Sequence, residues 1–223
     1  MQKFDTPAPI AALLDIPAGR IRFVAADRAD TTVEVLPADA SKARDVKAAE
    51  QVAVVCANGV LRIEALEAKN QILGNSGSLE VTVQLPAGSR VEAKTATAEF
   101  QSVGRLGDVT YDGAHGMVKL DETAGARLTL QAGDVTVGRL GGPAEIRVQK
   151  GGIDIAEAVH GTVVLRTEAG DVTIGAARGV SATLDAGTGY GRMDNALNNT
   201  AGTAAALNIH ATTSYGNITA RSL

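Results

Sequence analysis

The sequence predicts an all-β protein, a single-chain parallel β-solenoid (β-helix) with about 18 residues per coil and irregular terminal segments. Three observations carry this. Glycine recurs at a fixed interval through the middle of the chain. The segments between glycines alternate apolar and polar residues. Aromatic residues are scarce: the 223 residues include 25 Gly but only three Phe, three Tyr and no Trp.

The interval comes first. Gly107, Gly116, Gly125, Gly133, Gly142, Gly151, Gly161, Gly170 and Gly179 are separated by 9, 9, 8, 9, 9, 10, 9 and 9 residues. The run Gly-Asp-Val-Thr opens three of these segments, at Gly107, Gly133 and Gly170, and related runs open at Gly151, Gly191 and Gly216. After each of these glycines the second following residue is apolar, and in most the fourth is too, the period of a half-buried strand leaving a turn. Short strands at this spacing fit a hairpin-built sandwich or barrel, or coils stacked in parallel. Gly133, Gly151, Gly170 and Gly191 open similar strands 18, 19 and 21 residues apart, so like stacks on like every second step, which favours coils. Gly107 to Gly133 is 26 residues, three steps, so three strands per coil stay open. A narrow interior lined by Val, Ile, Leu, Ala and Met accounts for the shortage of aromatics.

The N-terminal hundred residues keep the alternation but lose the interval. Strands are expected over 21–24, 32–36, 52–56, 60–63 and 79–85, with turns at Pro17-Ala18-Gly19, Asn58-Gly59 and Pro86-Ala87-Gly88. Residues 41–51 are the one helix-permissive stretch, marginal in its apolar face, and 69–77, rich in Asn, Ser and Gly, reads as a loop. No linker forces a boundary. The expected organisation is one domain over 1–223, with an irregular β part at 1–100, regular repeats at 101–187 and C-terminal coils or a cap at 188–223.

Composition excludes several classes. An apolar share of 45% with a net charge of −4 is too apolar and too weakly charged for disorder. No run approaches the roughly 18 apolar residues of a membrane span. A slightly acidic chain with six aromatics is poorly supplied for phosphate neutralisation and base stacking, so no nucleic-acid partner is expected. A single cysteine, Cys56, excludes an internal disulfide framework and a cysteine-rich zinc site. At the N-terminus Lys3 is followed by Asp5, and the apolar run 10–14 is flanked by Pro9, Asp15 and Pro17, which is not the pattern of a secretory signal. The expectation is a cytoplasmic protein.

The recurrent glycine followed by Asp-Val-Thr or Asn-Ile-Thr, together with the Leu85-Pro86-Ala87-Gly88 step, resembles the putative-adhesin family of bacterial β-strand repeat proteins, domain of unknown function 4097. The opening Met1-Gln2-Lys3-Phe4-Asp5-Thr6-Pro7 and the closing segment from Thr213 to Leu223 are similar to actinobacterial members. The resemblance implies a single-chain parallel β-solenoid with no established enzymatic activity, and it supplies no catalytic residues.

Four constellations could carry chemistry. Asp108, Asp134 and Asp171 each follow a glycine; stacked carboxylates could bind a hard cation or act as an acid–base pair. The equivalent positions hold Gly152, Arg192 and Asn217, so the row is interrupted, and Asp or Asn there also serves as a turn residue. His115 and His160 both precede repeat glycines, but 45 residues apart they fall on different sides of a coil, and His210 lies outside the array. Cys56 ends an apolar strand and reads as a small buried hydrophobe. Tyr190 and Tyr215 each stand immediately before a turn glycine, 25 residues apart, suited to stack as a cap or as a carbohydrate or protein contact. Gly138-Arg139-Leu140-Gly141-Gly142 lacks the Lys-Ser/Thr of a phosphate loop, and Gly74-Asn75-Ser76-Gly77 has the wrong spacing for a nucleophile elbow.

No cofactor, metal or catalytic residue is therefore expected. The predicted function is a non-enzymatic structural or protein-interaction scaffold, self-assembling or adhesin-like, whose partner is an unidentified protein or a second copy. The alternative is a polysaccharide-acting enzyme of the β-helix type, which would need clustered acids beside basic residues and aromatic sugar platforms. A third reading, an accessory to a transcriptional or stress-response operon, is neither supported nor refuted by the residues.

Overall fold

The computed structural model describes residues 1–65 and 77–223, so the expected loop at 69–77 lies outside the described residues except for Gly77. The chain is all-β. Among the described residues eighteen strands form one sheet. They are β1 (Gln2–Asp5), β2 (Ala11–Ala26), β3 (Asp30–Pro37), β4 (Val52–Ala57), β5 (Val60–Ala65), β6 (Leu79–Pro86), β7 (Arg90–Val103), β8 (Arg105–His115) and β9 (Val118–Ala132) in the first part. The second part continues with β10 (Val135–Leu140), β11 (Ala144–Lys150), β12 (Ile153–Ala158), β13 (Gly161–Ala169), β14 (Val172–Ala176), β15 (Ala182–Tyr190), β16 (Met193–Ala196), β17 (Leu207–Tyr215) and β18 (Ile218–Ser222). One α-helix, α1 (Ala43–Glu50), matches the helix-permissive stretch; a 3-10 turn lies at Gly202–Ala204.

In the middle of the chain every pairing is parallel and advances by nearly the same amount. Val109 pairs with Ala126, Ala126 with Ala144 and Ala144 with Val163, offsets of 17, 18 and 19 residues. A second row runs Val118–Val135–Ile153–Val172 at the same pace. Two rows per advance mean that the repeat glycines alternate between two corners. One corner holds Gly116, Gly133, Gly151 and Gly170, all at φ between 136° and 156°. A Cβ on Gly133 would lie 1.5 Å from the carbonyl oxygen of Gly116, so only glycine fits. The nine-residue interval is thus half a layer, and the middle of the chain has two strands per layer.

Side chains alternate as the period predicts. Val135, Val137 and Leu140 are buried while Asp134 and Arg139 are exposed, and the inward residues of all layers join one apolar cluster from Ile10 to Ala220. The expectation of an interior with little room for rings holds only in part. Phe23, Phe100 and Tyr111 are fully buried and meet in tilted contacts through successive layers, with centroids 5.5 and 5.3 Å apart. Gly113 makes the room: a Cβ there would meet the Tyr111 ring at 2.6 Å.

The two ends depart from this scheme. At the N-terminal end β3 pairs antiparallel with β6, β1 with β3, and β4 with β5. The β4–β5 hairpin turns at Asn58 (φ 52°) and Gly59 (φ 74°), as the Asn-Gly pair predicts. The turn expected at Pro17-Ala18-Gly19 is instead a corner within continuous β2, where Gly19 takes φ 146°. At the C-terminal end spatial order leaves sequence order. β17 pairs with β13 on one side and β15 on the other, and β18 lies likewise between β14 and β16. Residues 182–196 are therefore the outermost layer, and 207–222 are inserted beneath them.

Candidate functional site

The position preceding each corner glycine forms a column across the layers. Its members, in spatial order, are His115, Ala132, Lys150, Ala169, Tyr215 and Tyr190. The corner glycine behind each one turns the chain sharply, which swings the preceding side chain outward.

The two tyrosines expected to stack do so. Their rings are 5.1 Å apart at an interplanar angle of 4°, and Tyr190 and Tyr215 are 72% and 61% exposed. Their backbone is held by a repeated device: Thr213 donates its hydroxyl to Gly170 O at 3.0 Å, and Thr188 donates to Gly216 O at 2.9 Å. Tyr190 covers one face of Tyr215; the other face is turned toward the layer of Ala169. Beyond it a surface groove of about 570 Å³ continues along the column to His115, with Lys150, Gln149 and Glu168 on its walls. Sequence reasoning missed this groove. Its signal was available, since the residue before each repeat glycine is small at 132 and 169 and large at 115, 150, 190 and 215.

The aspartates divide. Asp134 and Asp171 share a column but are separated by the layer of Gly152, and each accepts a backbone N–H from an adjacent layer: Gly152 N to Asp134 at 2.8 Å and Asn217 N to Asp171 at 2.7 Å. Asn217 repeats the device by accepting Arg192 N at 3.0 Å. Asp108 lies at the opposite corner, opposite Gly125. The geometry of Asp134 and Asp171 is that of layer-to-layer tethers. Among the described residues no three His, Cys, Asp or Glu side chains converge as metal ligands would.

The histidines are dispersed. His115 lies in the column, His160 lies beside Gly142 at the other corner, and His210 projects from β17 with Nδ1 3.2 Å from Asp185 of β15. Cys56 is half-buried on β4 opposite Leu61, and burial pushes its thiol pKa up. On the flat outer face of β11, the Arg147 guanidinium holds the Glu145 carboxyl below its ordinary range, with Arg127 3.5 Å away adding to the effect.

The outermost layer exposes apolar surface. Leu184 and Ala186 point inward yet are only half-buried, and Met193 is 57% exposed. Among the described residues β15 pairs only with β17 and β16 only with β18, which leaves a strand edge free beyond Ala182, whose N–H donates to Asn198 O at 3.1 Å.

No family model matches the chain, and no curated protein matches it. Solved structures do. The crystal structure of a putative adhesin from Bacteroides fragilis superposes with a TM-score of 0.59 at 12% identity, covering 98% of this chain and 95% of that one. A putative adhesin from Parabacteroides distasonis gives a TM-score of 0.47 at 16% identity, covering 100% and 95%. At such identity the first of these likenesses establishes a shared fold.

Proposed function

We propose that the chain is a non-enzymatic interaction scaffold of adhesin-like type, folded as a parallel β-solenoid in one domain and belonging with the bacterial β-strand repeat proteins that its glycine motifs resemble. The parallel advance of 17 to 19 residues per layer supports the solenoid. The fold shared with a protein named a putative adhesin supports the adhesin-like type.

One observation carries the interaction reading: among the described residues β15 and β16 pair with other strands on one side only, beside the exposed Met193. Such an edge pairs readily with another chain. In this reading the occupant is a second copy, joined edge to edge. Light scattering across protein concentration tests it. Association should rise with concentration and disappear in Met193→Asp, whereas a strictly monomeric species at high concentration would sink the self-assembly.

A further inference from the structure

We propose that the groove beneath the tyrosine stack binds a carbohydrate chain, with one pyranose ring lying on the free face of Tyr215 above Ala169. The register dictates the slot. Ala169 pairs directly with Tyr215, so the step in the column that another ring would occupy holds only a methyl group. The tyrosine stack is thereby interrupted after two members, with an aromatic face left open. The next layer contributes Lys150, and at Ala132 the column is empty again as far as His115. Four layer spacings separate His115 from Tyr215, about 19 Å of groove at the usual distance between paired strands.

The walls match a sugar in kind. A pyranose presents an apolar C–H face and a rim of hydroxyls. The face suits the electron-rich ring of Tyr215. The hydroxyls meet Glu168 as an acceptor, Ser214 and Gln149 as both donors and acceptors, and Lys150 as a donor, all lining the groove. A nucleobase would also stack on Tyr215, but its phosphates would find a single lysine here and a chain of net charge −4. The backbone that carries the tyrosine pair is tied to its neighbouring layers by the Thr213 and Thr188 hydroxyl bonds, and the two rings stack on each other, which lessens the ordering left to be done on binding.

The inference rests on the interaction reading above but uses a different surface. The test is a panel of oligosaccharides (β-1,4-glucan, chitin, xylan, α-glucan and uronate fragments) against the intact protein, with a pool of short basic and aromatic peptides as the competing class. Binding is read by calorimetry and by tyrosine fluorescence. Two variants accompany it: Tyr215→Ala removes the platform, and Ala169→Leu fills the slot while leaving the platform intact. At least one saccharide should bind, at least about tenfold more weakly in each variant, with melting temperatures of both variants close to that of the unaltered protein. No saccharide binding, binding unaffected by both substitutions, or binding by peptides alone would each overturn the proposal. Met193-dependent self-association is measured separately, so a failed panel with intact association removes this inference and leaves the scaffold reading in place.

Discussion

The layers from β9 to β14 and the layers from β15 to β18 use the same corner chemistry but differ in how the chain visits them. In the middle, each layer follows its predecessor, and Thr167 reaches back 16 residues to donate to Gly151 O at 2.9 Å. At the C-terminal end Thr213 makes the same bond to Gly170 across 43 residues. The tether between Asp134 and Gly152 N spans 18 residues, and its counterpart from Asp171 to Asn217 spans 46. Geometry is preserved while loop length changes nearly threefold. Register therefore follows the corner glycine, reinforced by a threonine before Gly170, Gly191 and Gly216 and by an Asp or Asn after Gly133, Gly170 and Gly216, and chain connectivity only decides which segment arrives at which layer. Closing a longer loop costs little more than closing a short one, so such a permutation is inexpensive.

Substituting the corner glycines is the strongest way to break this comparison. In Gly133→Ala a Cβ would sit 1.5 Å from Gly116 O, and in Gly191→Ala 1.9 Å from Gly216 O, both at positive φ. The middle substitution should lower unfolding free energy by about 3–5 kcal/mol, since strained backbone and clash occur in a layer flanked on both sides. The outer one should cost about 1–2 kcal/mol, because its layer can detach alone. Equal losses in urea denaturation would show that the outer layer is as integral as the middle.

Native-state hydrogen exchange sharpens the same point. Amides of 182–196 should exchange through local opening at least about tenfold faster than those of 135–158, because they lie in a layer paired on one side only. Uniform protection would contradict an outermost layer.

Smaller effects follow from the tethers. Thr167→Val and Thr213→Val each remove one hydroxyl bond to a glycine carbonyl and should each cost about 1 kcal/mol. Similar values would support a corner grammar indifferent to chain order; a loss confined to Thr167 would refute it. Gly187→Ala should run the other way. Nothing lies within 4 Å of its Cβ position and its φ is not left-handed, so it should stabilise by about 0.4–1 kcal/mol through the unfolded chain. The smallest effect is electrostatic. Glu145 is depressed in the folded state chiefly by Arg147, so its contribution is present above the ordinary carboxylate pKa and is lost as pH falls through the lower folded value. Glu145→Gln should flatten that part of the acid-stability curve slightly, and an unchanged curve would mean the pair is fully screened.

Much of this was legible in the sequence because the corners are local. A glycine that no other residue can replace, followed by alternation, announces itself wherever it occurs. The Tyr190–Tyr215 stack was legible for the same reason, as both residues sit in Thr-x-Tyr-Gly. The inserted C-terminal layer was not, since two segments with the same corner motif give no local sign of which lies outside. A sign does exist in their inward residues. The inserted layer turns Ile209, Ile218 and Ala220 inward, all buried, whereas the outer layer offers the half-buried Leu184 and the exposed Met193 and Asn195 at the paired positions. An asparagine opposite Ala220 is tolerable only where water reaches it. The buried aromatic ladder was also hidden, because Phe23 and Phe100 are brought together only by the pairing of β2 with β7.

The inserted layer also separates the order of synthesis from the order of assembly. Residues 182–196 leave the ribosome before 207–222, the strands with which they pair among the described residues, so at that moment β13 and β14 present a bare edge with Val163, Leu165, Val172 and Ile174 uncovered. A ribosome that stalls or terminates within this interval releases a chain whose apolar edge stays open to any neighbouring strand. The layer of 207–222 thus acts as a bolt, sliding between two parts already made.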